Sequence, residues 1–303
     1  MSASVSVPPT ICVIVVLYES AGVIDDCLAS LAAAAPRRGV RVIVVDNASA
    51  DDGAERARRA GATVVRLERN GGYAAGVNAG FAAADSVWLG VLNPDARATP
   101  GAFDTLADAL EAVPRAALAG PRVRHADGSH EGSTGPFPTY DRERAHAWAL
   151  DRLLGLPGRH THFPRVAAAV DWVSGCAWLL RAQAARQTGA LDERYFMYYE
   201  DVDYCRRLHD AGWQVLAVPQ AEVIHEPGTG STRSGLLPAD GGAALVRYFE
   251  RHHPELARGR IARTLRHGWG MRAMAHKLLA ITGDPRSRRL AARYELALAS
   301  LES

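Results

Sequence analysis

Residues 11–17, Ile-Cys-Val-Ile-Val-Val-Leu, form an unbroken apolar run dominated by β-branched side chains. A strand run without polar alternation is one covered on both faces, which calls for helices on either side of a sheet. The rest of the N-terminal half supplies them. Val23, Cys27, Leu28 and Leu31 recur at helical spacing within 23–35, and a second strand run occupies 40–45. Helix 52–60, strand 62–67, helix 73–84 and strand 87–92 follow, then helix 101–112 and strand 116–120. Alternation this regular predicts an α/β fold with a mostly parallel sheet and right-handed crossovers.

The alternation stops at residues 121–165, which are rich in Gly, Pro, His and Arg and carry one helical stretch near 141–154. This segment is expected to be an insertion over the sheet edge. Order returns with the apolar stretch 169–180, a helix near 181–188, a helix opening at about Glu200, and strand 213–218. A Gly/Ser/Pro-rich segment, 226–241, leads to three helical stretches at about 242–253, 255–281 and 284–300. The expected division is therefore an α/β region over 1–240 and a helical region over 241–303.

Composition narrows the class. The 303 residues are 48% hydrophobic with net charge +2, as expected of a soluble globular protein. Lys277 is the single lysine, and the Arg and Ala bias points to GC-rich coding rather than to nucleic-acid binding. Cys12, Cys27, Cys176 and Cys205 have neither CxxC nor zinc spacing and read as reduced thiols of a cytosolic protein. No apolar run is long enough for a membrane span, and no signal peptide is visible.

The chemistry-bearing residues gather at strand ends. Val87 to Leu92 delivers Asn93-Pro94-Asp95, where the proline stops the strand and sets both polar side chains at the sheet's carboxyl edge. Ligands bind at that edge in open α/β sheets. One carboxylate beside an amide suits a hard divalent cation, Mn2+ or Mg2+, that draws its other ligands from water and a diphosphate. Asp46 ends the second strand, where it can accept the imide N–H of a uracil or thymine ring or serve as a helix cap. Asn70-Gly71-Gly72 opens a helix continuing through Gly76, Asn78 and Gly80. Its glycines suit either an anion at the helix start or tight packing on the sheet.

Tyr195 to Tyr199 form an aromatic lead-in to Glu200, Asp201 and Asp203. These three carboxylates, read as unpaired by any nearby Lys or Arg, repel one another unless a cation or proton is close; they suit a solvated helix start or, as the aromatics favour, a walled pocket. His225 follows a strand and suits either a structural hydrogen-bonding role, the commoner one for a lone His, or a metal-ligand role alongside a strand-end acid.

The ordered set VVLYES, VVDNAS, NGGYAAGVNAG, VLNPDA, WVSGCAWLLRA, ERYFMYYEDVDYCRRLHDAGW and VIHEPGTGS resembles family-2 glycosyltransferases of the GT-A fold, nearest the bacterial rhamnosyltransferase branch, over about 11–230. The resemblance implies a mixed, mostly parallel sheet flanked by helices with a helical C-terminal appendage, and a metal-dependent inverting transferase with Asp201 as general base. It puts Tyr18, Asp46, Asn70, Gly72, Asn78, Asn93, Asp95 and Arg233 at the nucleotide-sugar. Asp95 and His225 fall at the metal, Asn93 replacing the first acid of the family's DxD motif. Trp172, Gly175, Cys176, Glu200 and Asp203 fall at the acceptor.

It also implies dTDP-rhamnose as donor, a polyprenyl-diphosphate-linked GlcNAc as acceptor, and a cytoplasmic enzyme peripheral on the inner face of the membrane. Alternatives are a UDP-galactofuranose, UDP-GlcNAc or UDP-glucose donor, or a silent nucleotide-sugar-binding subunit. A nucleotidyltransferase would need a basic Gly-rich loop after the first strand, which Tyr18 to Gly22 is not. In the tail, Ile261, Leu265, Trp269 and Leu278 fall near one helical face with Arg258, Arg260, Arg263, Arg266 and Arg272 among them. That pattern fits an amphipathic helix on an anionic bilayer, or equally one packed on its own domain or on a second subunit.

Overall fold

The computed structural model describes residues 10–150, 155, 162–226, 237–256 and 259–301. The chain divides into two compact units. The first comprises residues 1–136, 160–194 and 200–233; the second comprises 137–159, 195–199 and 234–303.

The first unit is built on β1 (Ile11–Leu17), every residue of which is buried. Its even side chains Val16 and Ile14 meet α3 (Tyr73–Ala83), where a Cβ on Gly76 or Gly80 would clash with them. Glycine there lets the helix backbone settle on the strand, so the packing reading of the glycine-rich segment is realised. The odd side chains Ile11, Val13, Val15 and Leu17 enter a core shared with α1 (Ile24–Leu31) and α4 (Ala102–Ala112). Period-two alternation thus feeds two covered faces.

β1 pairs in parallel with β2 (Val40–Asp46) on one side and β4 (Trp88–Leu92) on the other. β2 pairs with β3 (Thr63–Arg66), while α2 (Gly53–Arg59) joins those two strands. Among the described residues the sheet has nine strands, and its main path runs β3-β2-β1-β4-β10-β6-β11-β5. Here β5 is Ala96–Ala98, β6 is Ala116–Arg124, β10 is Ala177–Arg181 and β11 is Gln214–His225. The order reverses between β1 and β4, the switch point at which an open sheet leaves a crevice beyond its strand ends.

β10 lies antiparallel between β4 and β6, so the sheet is mixed, as the resemblance implies. The stretch 169–180 holds three strands, β8 (Ala168–Val170) on β11, β9 (Trp172–Val173) on β7 (Thr134–Gly135), and β10. One strand departs from expectation: β11 runs to His225 rather than stopping at Val218. Its register shifts between Val218 and Glu222, so Pro219 is absorbed in an irregularity where it owes no ladder bond. The first unit is completed by α6 (Ala182–Thr188) and α7 (Glu200–Asp210).

The second unit contains α5 (Tyr140–Ala147), α8 (Leu237–His252), α9 (Arg260–Ala280) and α10 (Pro285–Ala299). It takes in residues 137–159, which the sequence groups with the α/β region. Ile261, Leu265 and Trp269 of α9 turn inward, whereas Leu278 is exposed. Gly268 sits so close to Ala147 that a Cβ would overlap its backbone. Asp284 caps α10 by accepting from the N–H groups of Arg286 and Ser287, with Pro285 in the first turn. The aromatic lead-in belongs here too: Arg247 lies over the Tyr195 ring and Tyr199 packs near Tyr248.

Candidate active site

The crevice at the switch point is assembled by three strand ends. After β4, Asn93 and Asp95 flank a turn in which Ala96 N–H donates to the Asn93 carbonyl. β10 holds one side, since Asn93 N–H donates to the Cys176 carbonyl at 2.8 Å. β11 holds the other through β5, in a register that pairs His225 with Ala96. That register sets His225 Nε2 3.2 Å from Asp95 Oδ1.

Glu131 completes the arrangement, its Oε2 lying 2.7 Å from His225 Nδ1. Burial alone would lower the imidazole's pKa, but its bonds to Asp95, Cys176 and Glu131 outweigh this and raise it to about 12. Cys27 donates from Sγ to the Asn93 carbonyl at 3.4 Å, and burial pushes both its thiol and that of Cys176 upward. These thiols are protonated packing groups. The Asn93 side-chain oxygen is buried without a hydrogen-bond partner.

Asp201, in the first turn of α7, reaches the same crevice. Its Oδ2 accepts from Gly175 N–H at 2.8 Å and its Oδ1 from Val202 N–H at 2.8 Å. Tyr73 Oη donates to the Gly175 carbonyl at 2.6 Å, joining the start of α3 to the loop before β10. Burial, then the charges of Glu200, Asp201 and Asp95 nearby, hold the Tyr73 hydroxyl well above its usual pKa. Asp95, His225, Gly175, Cys176 and Asp201 are therefore neighbours, though 106 positions separate Asp95 from Asp201.

Asp46 is fully buried at the end of β2. Its Oδ1 accepts from Ser49 N–H at 2.9 Å, closing a local turn rather than capping α2. Its Oδ2 has no hydrogen bond and lies 3.4 Å from Arg66 Nε. Tyr18 stands exposed just past β1. Asn47 braces this side: its amide donates to Asn70 Oδ1 and the Gly72 carbonyl and accepts from Gly71 N–H. Asn70 also receives Gly72 N–H, so its side-chain oxygen forms the loop that positions α3.

The remaining site residues expected from the sequence have the following partners. The Asn78 amide bonds to the backbone of Leu191 in both directions and to Glu193, pinning α3 to that loop. Trp172 is buried and donates to the Pro136 carbonyl. The expectation that no carboxylate of the Glu200-Asp201-Asp203 group has a cationic neighbour is corrected by Arg207, whose Nε lies 2.8 Å from Asp203 Oδ2. The i,i+4 spacing on α7 brings them together. Glu200 is buried with Oε2 unpartnered; burial, then Asp201 and Asp203, raises its pKa well above the carboxylate range. Arg233 lies outside the described residues. Glu131 and Asn47 are the participants that the sequence did not single out. Asn47 was signalled by its place at a strand end beside Asp46, Glu131 by nothing local.

Among the described residues, no group of three or more His, Cys, Asp and Glu side chains is arranged to hold a metal. The crevice instead offers one carboxylate and one imidazole, with an acid behind the imidazole and a second acid across from them.

A mixed, mostly parallel sheet with strand-end acids collected at its switch point is a fold of the GT-A type, shared with solved glycosyltransferase structures. Residues 12–168 match the model of glycosyl transferase family 2. The chain is 35% identical over 260 residues to the N-acetylglucosaminyl-diphospho-decaprenol L-rhamnosyltransferase of Mycobacterium tuberculosis, covering 79% of this chain and 84% of that one. The mannosyltransferase PcManGT from Pyrobaculum calidifontis, solved with GDP-Man and Mn2+, shares the fold at a TM-score of 0.59 and 17% identity, covering 97% of this chain and 86% of its own. GalNAc-T7, solved with UDP, GalNAc and Mn2+, matches at a TM-score of 0.56 and 16% identity over 72% of this chain and 43% of its own. The chain belongs to glycosyl transferase family 2 and is a glycosyltransferase.

Proposed function

We propose that the protein transfers L-rhamnose from dTDP-rhamnose to a GlcNAc-diphospho-polyprenol in cell-wall polysaccharide synthesis, working at the inner face of the membrane. The observation that carries this reading is the 35% identity, over most of both chains, to the mycobacterial enzyme that acts on such an acceptor. The residue groups divide accordingly. Tyr18, Asp46, Asn70 and Gly72 take the nucleotide, with the Asp46 carboxylate, beside Arg66, as acceptor for the pyrimidine imide.

Asp95 and His225 fit a divalent cation, Mn2+ or Mg2+: a hard oxygen and an imidazole side by side, with Glu131 fixing the ring. When bound, such an ion neutralises charge on the departing diphosphate. Diphosphate oxygens and water would complete its shell.

Asp201 acts as general base. Its two oxygens accept the Gly175 and Val202 N–H groups, which hold the carboxylate in one orientation. The hydroxyl oxygen bonds to the anomeric carbon as its proton passes to the carboxylate and the bond to the nucleoside diphosphate breaks. With no protein nucleophile the configuration inverts. A base so placed contributes roughly 10²–10⁴-fold.

Purified protein, Mn2+ and a GlcNAc-diphospho-polyprenol analogue, offered dTDP-rhamnose and UDP-sugars in parallel, test the reading. Rhamnosylated lipid from dTDP-rhamnose alone is the expected result. Turnover only with UDP-galactofuranose, UDP-GlcNAc or UDP-glucose would replace the donor, because Asp46 meets the same imide edge in uracil and thymine. Donor binding without nucleotide release would make the chain a silent binder.

A further inference from the structure

The second unit presents a surface that the transfer reaction does not use. His267, Met271, Met274, Leu278 and Ile281 recur every three or four residues along α9 and its last turn, and all are exposed. Met274 is 55%, Leu278 63% and Ile281 81% exposed, and Leu279 and Leu296 add to the apolar area. A helix that has already buried one face, through Ile261, Leu265 and Trp269, ordinarily turns polar residues outward. This one carries a second apolar stripe.

The surroundings are cationic. From Arg260 to Leu301 there are nine Arg and Lys residues against two carboxylates, Asp284 and Glu295. The whole chain carries only +2, so the remainder is net acidic. Arg263, Arg266, Arg286, Arg288, Arg289 and Arg293 are exposed. Lys277 is paired to Glu295, and Arg272 is held by the His146 carbonyl and the Tyr294 ring.

That charge selects the occupant. A second copy of the same face would bring like charges together around the stripe, whereas an anionic lipid surface complements them and accepts the Met, Leu and Ile side chains among its acyl chains. Among the described residues no helix is long and apolar enough to cross a membrane, so the contact is one of lying on the surface. We propose that the Met271–Ile281 stripe of α9, ringed by the arginines of α9 and α10, is the surface by which this protein sits on an anionic bilayer. The inference deepens the proposed reaction on a lipid-linked acceptor by naming the docking surface.

Co-sedimentation of the full chain with vesicles free of polyprenyl lipid tests it. Vesicles of phosphatidylcholine with phosphatidylglycerol are expected to bind the chain, phosphatidylcholine alone to bind it weakly, and high salt to release it. Arg286→Glu with Arg289→Glu lowers binding by at least about tenfold. Leu278→Glu with Ile281→Glu abolishes binding while thermal melting and donor hydrolysis in the absence of vesicles stay unchanged. Failure to bind anionic vesicles, or undiminished binding by the Leu278→Glu, Ile281→Glu variant, overturns the proposal. So does a dimer that this variant dissolves without any vesicle binding, which would assign the stripe to a second copy. Because the vesicles hold no acceptor, the docking surface and the reaction fail or stand separately.

Discussion

His225 Nε2 lies 3.2 Å from Asp95 Oδ1 because the three residues of β5 fold back onto the end of β11. The strand-end acid and the strand-end imidazole therefore come from different strands but share one register. If both hold the cation, Asp95→Ala and His225→Ala each weaken Mn2+-dependent donor binding by at least about tenfold, while binding measured in a chelator is nearly unaffected. Titration calorimetry with and without Mn2+ reads this directly. Unchanged Mn2+ dependence in Asp95→Ala would place the cation elsewhere.

Glu131 supports the same pair from behind. Its Oε2 fixes the orientation of His225 through Nδ1, which leaves Nε2 directed at Asp95. Carboxylates in this position tune metal affinity by about 10–100-fold. Glu131→Ala is expected to lose affinity in that range, and Glu131→Gln to recover part of it because an amide oxygen can still accept from Nδ1–H. Mn2+ titration followed by electron paramagnetic resonance checks both without reference to turnover. Equal affinities for Ala and Gln variants would make the contact incidental.

Asp201 accepts from two backbone N–H groups, and this complicates its obvious variant. In Asp201→Asn only one of those N–H groups can meet an oxygen, so the loop at Gly175 loses a bond worth about 1 kcal/mol. The expected result is a small fall in melting temperature, donor affinity within a few-fold of wild type, and kcat lower by about 10²–10⁴-fold. Single-turnover rates with saturating donor separate chemistry from binding. A near-normal rate would remove Asp201 from the base role.

The sequence carried the covered strands and their polar ends. β1, β2 and β4 are continuous apolar runs, and each of Tyr18, Asp46 and Asn93 stands directly at a strand's finish. Direction was not legible: Ala177–Arg181 has the composition of any buried strand, and only its neighbours show it to be antiparallel. Pro219 reads as a stop because proline cannot join a ladder, yet β11 continues through a local register shift. Glu131 was invisible for a different reason, since its partner is 94 residues away and the intervening chain has no period. Asp203 and Arg207 are the opposite case: their i,i+4 spacing is local and sets the ion pair on one helix face.

Glu200 yields a prediction about stability. It is buried with an unpartnered oxygen, and desolvation, then Asp201 and Asp203, raises its pKa in the folded protein. The unfolded carboxyl ionises near about 4.3. Between that point and its folded value, the folded state holds a proton that the unfolded state has released, so stability falls as pH rises through this window. Glu200→Gln keeps the shape, cannot ionise, and removes that slope. Melting temperatures of the two proteins should agree at a pH below the unfolded value and diverge above it, the variant melting higher at neutral and alkaline pH. Parallel curves across the whole range would mean that Glu200 keeps an ordinary pKa and that a counter-charge reaches it in the crevice.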